Sequence, residues 1–149
     1  MKLYLAGPLF GSADREFNRQ LATALREWAH EVFLPQADAE ENVRLGETAT
    51  ASDIFVGNKK GIDWCEIVIA NMDGPDPDSG TAWECGYAYG TDKRVITFRT
   101  DFRSATDLLA PFNIMLAESS EVLKASPNIT PERLAHEIDS LIFYGEEER

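Results

Sequence analysis

Cysteine and histidine are scarce in this sequence. Two cysteines, Cys65 and Cys85, and two histidines, His30 and His136, stand among 149 residues. Neither cysteine belongs to a CxxC pair, so no disulfide framework is expected. The four residues share no ligand spacing, and zinc wants three or four clustered nitrogen or sulfur ligands, so no metal site is expected either. Long apolar runs are also missing. Nothing approaches the roughly 20 residues that cross a bilayer. The opening MKLYLAGPLFG has one lysine and no small-residue cleavage site, and it reads as a first strand rather than a secretory leader. Phosphate-cradling patterns are absent: there is no GxGxxG after that strand and no GxxxxGK[ST]. GxSxG is absent too, and no Ser-His-Asp arrangement can be read. Positive charge is in short supply, with 14 basic residues against 26 acidic ones and a net charge of -12. Such a surface repels a phosphate backbone, which excludes polymeric DNA or RNA as a partner. The acidic excess is read as solubility, and the final EEER as a solvated tail.

What is present suits a soluble globular chain. The apolar fraction is 44% and the mean hydropathy is -0.28, in keeping with a single cytoplasmic domain over residues 1–149. Residues 2–6 alternate as a strand and stop at Gly7-Pro8. Phe17, Leu21, Leu25 and Trp28 set the buried stripe of a helix over 14–29. EVFL at 31–34 makes a second strand ended by Pro35. Residues 36–50 are polar, a loop with room for one short helix. A helix over 51–64 carries Ile54, Phe55, Ile62 and Trp64, although Gly57 and Gly61 weaken it by roughly 1 kcal/mol each. EIVIA at 66–70 is a near-continuous apolar run, the mark of a parallel strand buried on both faces. A Pro-, Gly- and Asp-rich loop follows, then a helix from Gly80 to Gly90 and a strand at 94–98. After a second loop, short strands are expected around Ile114–Leu116 and Val122–Leu123. Thr130 and Pro131 open the last helix as N-cap and first residue.

Alternating strands and helices give an α/β class with a mainly parallel sheet. Five strands in this length suggest a flavodoxin-like three-layer sandwich in the order 2-1-3-4-5. Ligands then bind beyond the carboxyl ends of the first and third strands, where the order reverses. The loops expected there are Gly7–Ser12, holding Gly7 and Phe10, and Met72–Ser79. The second loop carries Asp73, Asp76 and Asp78 and leads to Glu84 in the first turns of a helix. The positive end of the helix dipole would hold such a carboxylate ionised, as a nucleophile requires. On spacing alone, Glu84 can equally be a mere complement to the dipole. The groups gathered at the crevice (Tyr4, Phe10, Asp78 and Glu84) suit a neutral polyhydroxy ligand with an apolar ring. A nucleoside fits.

Three segments carry a wider likeness: LYLAGPLF at 3–10, the D-x-G-T-A-x-E-x-G-x-A pattern at Asp78–Ala88, and PFNIML at 111–116. Through them the chain resembles the nucleoside 2-deoxyribosyltransferases over nearly its whole length. The resemblance implies a cofactor-free enzyme of nucleotide salvage that acts on small deoxynucleosides and free nucleobases. Glu84 matches the family's catalytic glutamate, which attacks the anomeric carbon and forms a deoxyribosyl ester. A second base then displaces it, retaining the configuration as retaining glycosidases do. Tyr4 matches a tyrosine that orients the glutamate, and Asp78 an aspartate that holds the 5′-hydroxyl. Asn113 matches an asparagine lent by a neighbouring subunit, which implies a homo-oligomer built on a dimer, up to a tetramer or hexamer. Asn58 falls where the family places an acid near the base. An amide can bond a base edge but cannot protonate it, which leaves that proton to another carboxylate such as Asp76, or to water. Gln36, after the second strand, is a further candidate for binding the base. The alternative activity on the same fold is hydrolysis of a 2′-deoxynucleoside 5′-monophosphate. Asp78 argues against it, because like-charge repulsion of the phosphate would cost about 1–4 kcal/mol.

Overall fold

The structure, a computed structural model, describes residues 1–37, 48–101 and 109–145. Among the described residues ten elements alternate. They are β1 (Lys2–Ala6), α1 (Ser12–Glu27), β2 (Glu31–Phe33), α2 (Ala51–Trp64), β3 (Ile67–Asn71), α3 (Ser79–Gly90), β4 (Arg94–Phe98), α4 (Ile114–Glu118), β5 (Glu121–Leu123) and α5 (Pro131–Tyr144). The five strands form one all-parallel sheet in the order β2-β1-β3-β4-β5, as the sequence pattern predicts. Each parallel neighbour demands a crossover, and the helices supply it while covering both faces.

Side-chain alternation divides the core in two. Leu3, Leu5, Ile67, Ile69, Ile96 and Phe98 point to the face packed by α1 and α5, against Leu21, Leu25, Leu134 and Ile138. Tyr4, Ala6, Val68, Ala70 and Val95 point the other way, against Ile62, Cys85, Ala88 and Leu116. A strand turns each successive side chain over. Tyr4 is therefore committed to the α2–α3 side once Leu3 and Leu5 are buried on the other. β3 is buried at all five positions, and this fits the apolar run Ile67–Ala70 that makes up all of it but Asn71. Local caps set the helix starts. Thr50 and Asp53 bond each other's backbone N–H at the start of α2, Asp78 caps α3, and Thr130 with Pro131 opens α5.

Three expectations change. Trp28, expected in the buried stripe of the first helix, is the C-cap of α1 and is exposed. Residues 114–116 are not a strand but the start of α4, because Asn113 caps that turn, its side chain accepting from the Met115 N–H at 3.0 Å. A three-residue apolar run cannot by itself distinguish strand from helix. Helix α2 also buries less than its apolar residues suggested. Ile62 and Gly61 are buried, whereas Ile54 and Phe55 are half exposed and Trp64 remains open to solvent. Phe55 instead meets Trp83 of α3 edge-on at 5.4 Å, and Trp83 stacks on Tyr87. The short helix considered within 36–50 and the acidic tail fall largely outside the described residues. Among those residues no helix is long and apolar enough to cross a membrane.

The two glycines of α2 have opposite settings. A Cβ on Gly61 would come within 2.8 Å of the Phe33 ring, which itself stacks on Tyr4 at 5.4 Å. A Cβ on Gly57 would meet nothing within 4 Å. Gly61→Ala is therefore expected to destabilise the fold by about 1–3 kcal/mol through overpacking. Gly57→Ala is expected to stabilise it by about 0.5–1 kcal/mol, since alanine loses less backbone entropy in a helix. Urea unfolding of the two variants checks both, and equal effects would refute the close-approach account of Gly61.

Candidate active site

The switch point between β1 and β3 opens into a cavity of about 510 Å³, counting the space that communicates with solvent. Six of the eight sequence-predicted site residues line it: Gly7, Phe10, Gln36, Asn58, Asp78 and Glu84. Tyr4 lies beneath, fully buried, and its hydroxyl donates to Glu84 Oε1 at 2.6 Å. That bond joins residues 80 positions apart. Asn113 is not among the lining residues. It is exposed at the start of α4, its carboxamide occupied in capping that helix.

The loop after β1 takes its shape from close approach and from one arginine. A Cβ on Gly7 would lie 3.2 Å from Asn71 Cβ, so a larger residue would push apart the ends of β1 and β3. Arg15 Nη1 donates to the carbonyl oxygens of Leu9 and Phe10 at 3.0 and 2.8 Å. This pins the turn and leaves the Phe10 ring exposed at the cavity mouth.

The aspartates of the second loop divide by task. Asp73 accepts from the N–H and hydroxyl of Thr100 and from the Asp101 N–H, tying the ends of β3 and β4 together. Asp76 is exposed and does not line the cavity. Asp78 caps α3 through Oδ2, which accepts from the Thr81 N–H at 3.0 Å and the Thr81 hydroxyl at 3.3 Å. Among the described residues nothing donates to its other oxygen, and Asp78 lines the cavity. The lining therefore contributes two carboxylates, Asp78 and Glu84.

Glu84 is not held ionised by the helix dipole, contrary to the expectation from sequence. It sits in the second turn of α3, where that field has faded. Burial dominates, and it pushes the carboxyl up to about 7; the Tyr4 hydrogen bond opposes the rise, and the nearby Asp78 charge adds to it. Tyr4 is driven far above the ordinary phenol range by burial and by Glu84, so it stays a hydrogen-bond donor. Cys85, next in sequence, is buried, and burial raises its thiol to about 12, which rules out a thiolate nucleophile at neutral pH. His30 pairs with Asp139 at 3.0 Å and takes no part in the cavity. No group of His, Cys, Asp or Glu among the described residues is arranged to hold a metal ion.

Four lining residues that matter to the geometry were missed in the sequence: Asn18, Leu34, Pro35 and Thr81. Asn18 had a legible signal, since it lies one turn before Leu21 and Ala22, inside the apolar stripe of α1, and is 5% exposed. A polar residue on a buried helical face calls for partners. Thr81 had only the cap motif to announce it, and Leu34 and Pro35 read as ordinary strand-end residues.

Comparison with known proteins agrees with the architecture. The family model of nucleoside 2-deoxyribosyltransferases matches residues 3–127. Protein UU063 of Ureaplasma parvum serovar 3 is 33% identical over 105 residues, which are 64% of this chain and 63% of that protein. The chain thus aligns with less than two thirds of that relative's length. A conserved protein from Enterococcus faecalis V583 superposes with a TM-score of 0.74 at 25% identity, covering 94% of this chain and 98% of its own. The 2-deoxyribosyltransferase of Bacillus psychrosaccharolyticus superposes with a TM-score of 0.67 at 26% identity, covering 84% and 87%.

The raised Glu84 carboxyl has a consequence for stability. Its folded value of about 7 exceeds the usual 4.5, so the folded state binds the proton more tightly than the unfolded chain. Its contribution to stability is fully present below about pH 4.5 and is lost as pH rises through 7. Glu84→Gln cannot ionise and keeps an acceptor for Tyr4. It is expected to be more stable than the wild type at pH 8 by on the order of 1–3 kcal/mol, the difference shrinking at pH 5. Urea unfolding at the two pH values measures this. A wild type at least as stable as the variant at pH 8 would show that the carboxylate pays no desolvation cost.

Proposed function

The chain belongs to the nucleoside 2-deoxyribosyltransferase family, and on that premise we propose that it moves 2-deoxyribose between nucleobases through a covalent ester on Glu84. The observation that carries this reading is the 2.6 Å bond from Tyr4 to Glu84 Oε1 beside the cavity. It fixes one carboxylate oxygen and leaves Oε2 to react. In the first step Oε2 bonds to C1′ as the C1′–N bond breaks, and its electron pair leaves on the base nitrogen. In the second, a nitrogen of another base bonds to C1′ from the opposite side, sheds its proton to water, and the ester breaks, returning the Glu84 carboxylate. Two inversions give retention. The carboxylate also stabilises the oxocarbenium character that develops at C1′ before bonding.

The other cavity residues take supporting parts. The second oxygen of Asp78 accepts from the 5′-hydroxyl. Leu9, Phe10, Leu34 and Pro35 offer apolar surface to the base, and Asn58 bonds its edge. Asp76 stands outside the cavity, so the departing base takes its proton from water. No organic cofactor or metal enters either step. Asn113 lies outside its own chain's cavity, which supports an assembly in which it completes the site of a second copy. Exposed Phe55, Trp83 and Met115 supply apolar surface for such contact. The two free thiols accord with a reducing cytoplasm.

Hydrolysis of a 5′-monophosphate is the rival, and the free oxygen of Asp78 opposes it by repelling a phosphate dianion. Incubation with deoxyinosine and adenine is expected to yield deoxyadenosine and hypoxanthine, whereas dIMP alone yields nothing. Hypoxanthine released from dIMP and not from deoxyinosine would overturn the transfer reading. Intact-mass spectrometry with deoxyinosine alone is expected to show a deoxyribosyl adduct on the wild type and none on Glu84→Gln.

Transfer needs ionised Glu84, so kcat/KM is expected to rise with pH through about 7. Tyr4→Phe removes a bond that favours the anion. It should move this limb to higher pH by about 1 unit and lower the rate at pH 7 by about 10- to 100-fold. An unmoved limb in Tyr4→Phe would detach the tyrosine from Glu84 ionisation.

A further inference from the structure

We propose that Asn18 is the acceptor that selects nucleobases carrying an N–H donor, and that Gln36 acts through it. The inference rests on the cavity being a nucleobase site, and it concerns a residue that no motif marks.

The orientation of the two amides follows from their neighbours. Gln36 Nε2 donates to the Arg15 carbonyl at 2.8 Å, and a carbonyl can only accept. Gln36 therefore presents Oε1 to Asn18. Asn18 Nδ2 donates to that oxygen at 3.3 Å and to the Pro8 carbonyl at 2.9 Å. Flipping either amide would set donor against donor or acceptor against acceptor, so only this assignment is consistent. Both Nδ2 hydrogens are used, and among the described residues nothing donates to Asn18 Oδ1. That oxygen lies 3.5 Å from where a Cβ on Gly7 would stand, on a residue that lines the cavity while only 5% exposed. Glycine at position 7 leaves it uncovered. A held carbonyl oxygen at a cavity wall, open to the cavity and without a protein donor of its own among the described residues, favours a ligand donor over a ligand acceptor.

The topology says which part of the ligand meets it. Glu84 and Asp78 belong to α3 and its N-cap, which follow β3, and they take the sugar. Asn18, on α1, holds Oδ1 beside Gly7 at the end of β1, while its partner Gln36 stands with Leu34 and Pro35 beyond β2, on the side of β1 away from β3. A base projecting from C1′ away from Asp78 runs toward them. Gln36 is 3% exposed and its amide is bonded at both ends, so it is a positioning residue. The donor it selects for is the 6-amino group of adenine or the ring N1–H of hypoxanthine, either of which unsubstituted purine lacks on its six-membered ring.

Equilibrium binding of purine, adenine and hypoxanthine to the full chain tests the assignment without requiring turnover. The wild type is expected to bind adenine or hypoxanthine about tenfold more tightly than purine. Asn18→Ala should bring the bases to within about twofold of one another, chiefly by losing affinity for the favoured one. Equal wild-type affinities for all three would overturn the proposal, and so would a preference that survives in Asn18→Ala. If that variant does not fold, Gln36→Leu replaces it. Freed from its anchor, the Asn18 amide turns, and the preference should shrink while purine binding holds; an unchanged preference again overturns the proposal. Deoxyribosyl transfer without any base preference would remove the role of Asn18 and leave the reaction standing. The preference without transfer would do the reverse.

Discussion

One hydrogen bond organises the chemistry of this molecule, that from the Tyr4 hydroxyl to Glu84 Oε1. It forms only because β1 lies beside β3 in the sheet and α3 returns across the same face. Burial then works on both partners. It raises the carboxyl toward neutrality while keeping the phenol protonated. The result is a carboxylate that is costly to ionise and rigidly held. On the proposed reading of Glu84 as a nucleophile both properties help, because weak solvation leaves it reactive and a fixed oxygen is already in place.

Around that pair, most polar groups at the sheet's carboxyl edge are spent on architecture. Asp73 ties two loops, Arg15 pins a third, and Gln36 and Asn18 brace each other. Among the described side chains that line the cavity, these commitments leave over one oxygen each of Glu84, Asp78 and Asn18, with the amide of Asn58. Their sparseness suits a small neutral molecule with one apolar ring. Of the three aspartates in the loop after β3, only Asp78 lines the cavity.

The fold was largely readable because its signals are local or periodic. The near-continuous run EIVIA at 66–70 marked a central parallel strand, and Thr130-Pro131 marked a helix start. The failures share one cause. Ile114–Leu116 was too short for a period to show, and the cap at Asn113 decided it. Helix α2 carried enough apolar residues for a wide buried face. Only the turn around Gly61 and Ile62 is buried, with the Phe33 ring close against Gly61.

The sequence by itself determined the α/β class, the strand order, the crevice at the switch point and the family to which the chain belongs. These follow from alternation, from turn residues and from motifs a few residues long. Only the tertiary structure decided how charged Glu84 is, which aspartate faces the cavity, and that Asn18 reaches it. Those depend on desolvation and on hydrogen bonds between distant segments, and neither is written in local spacing.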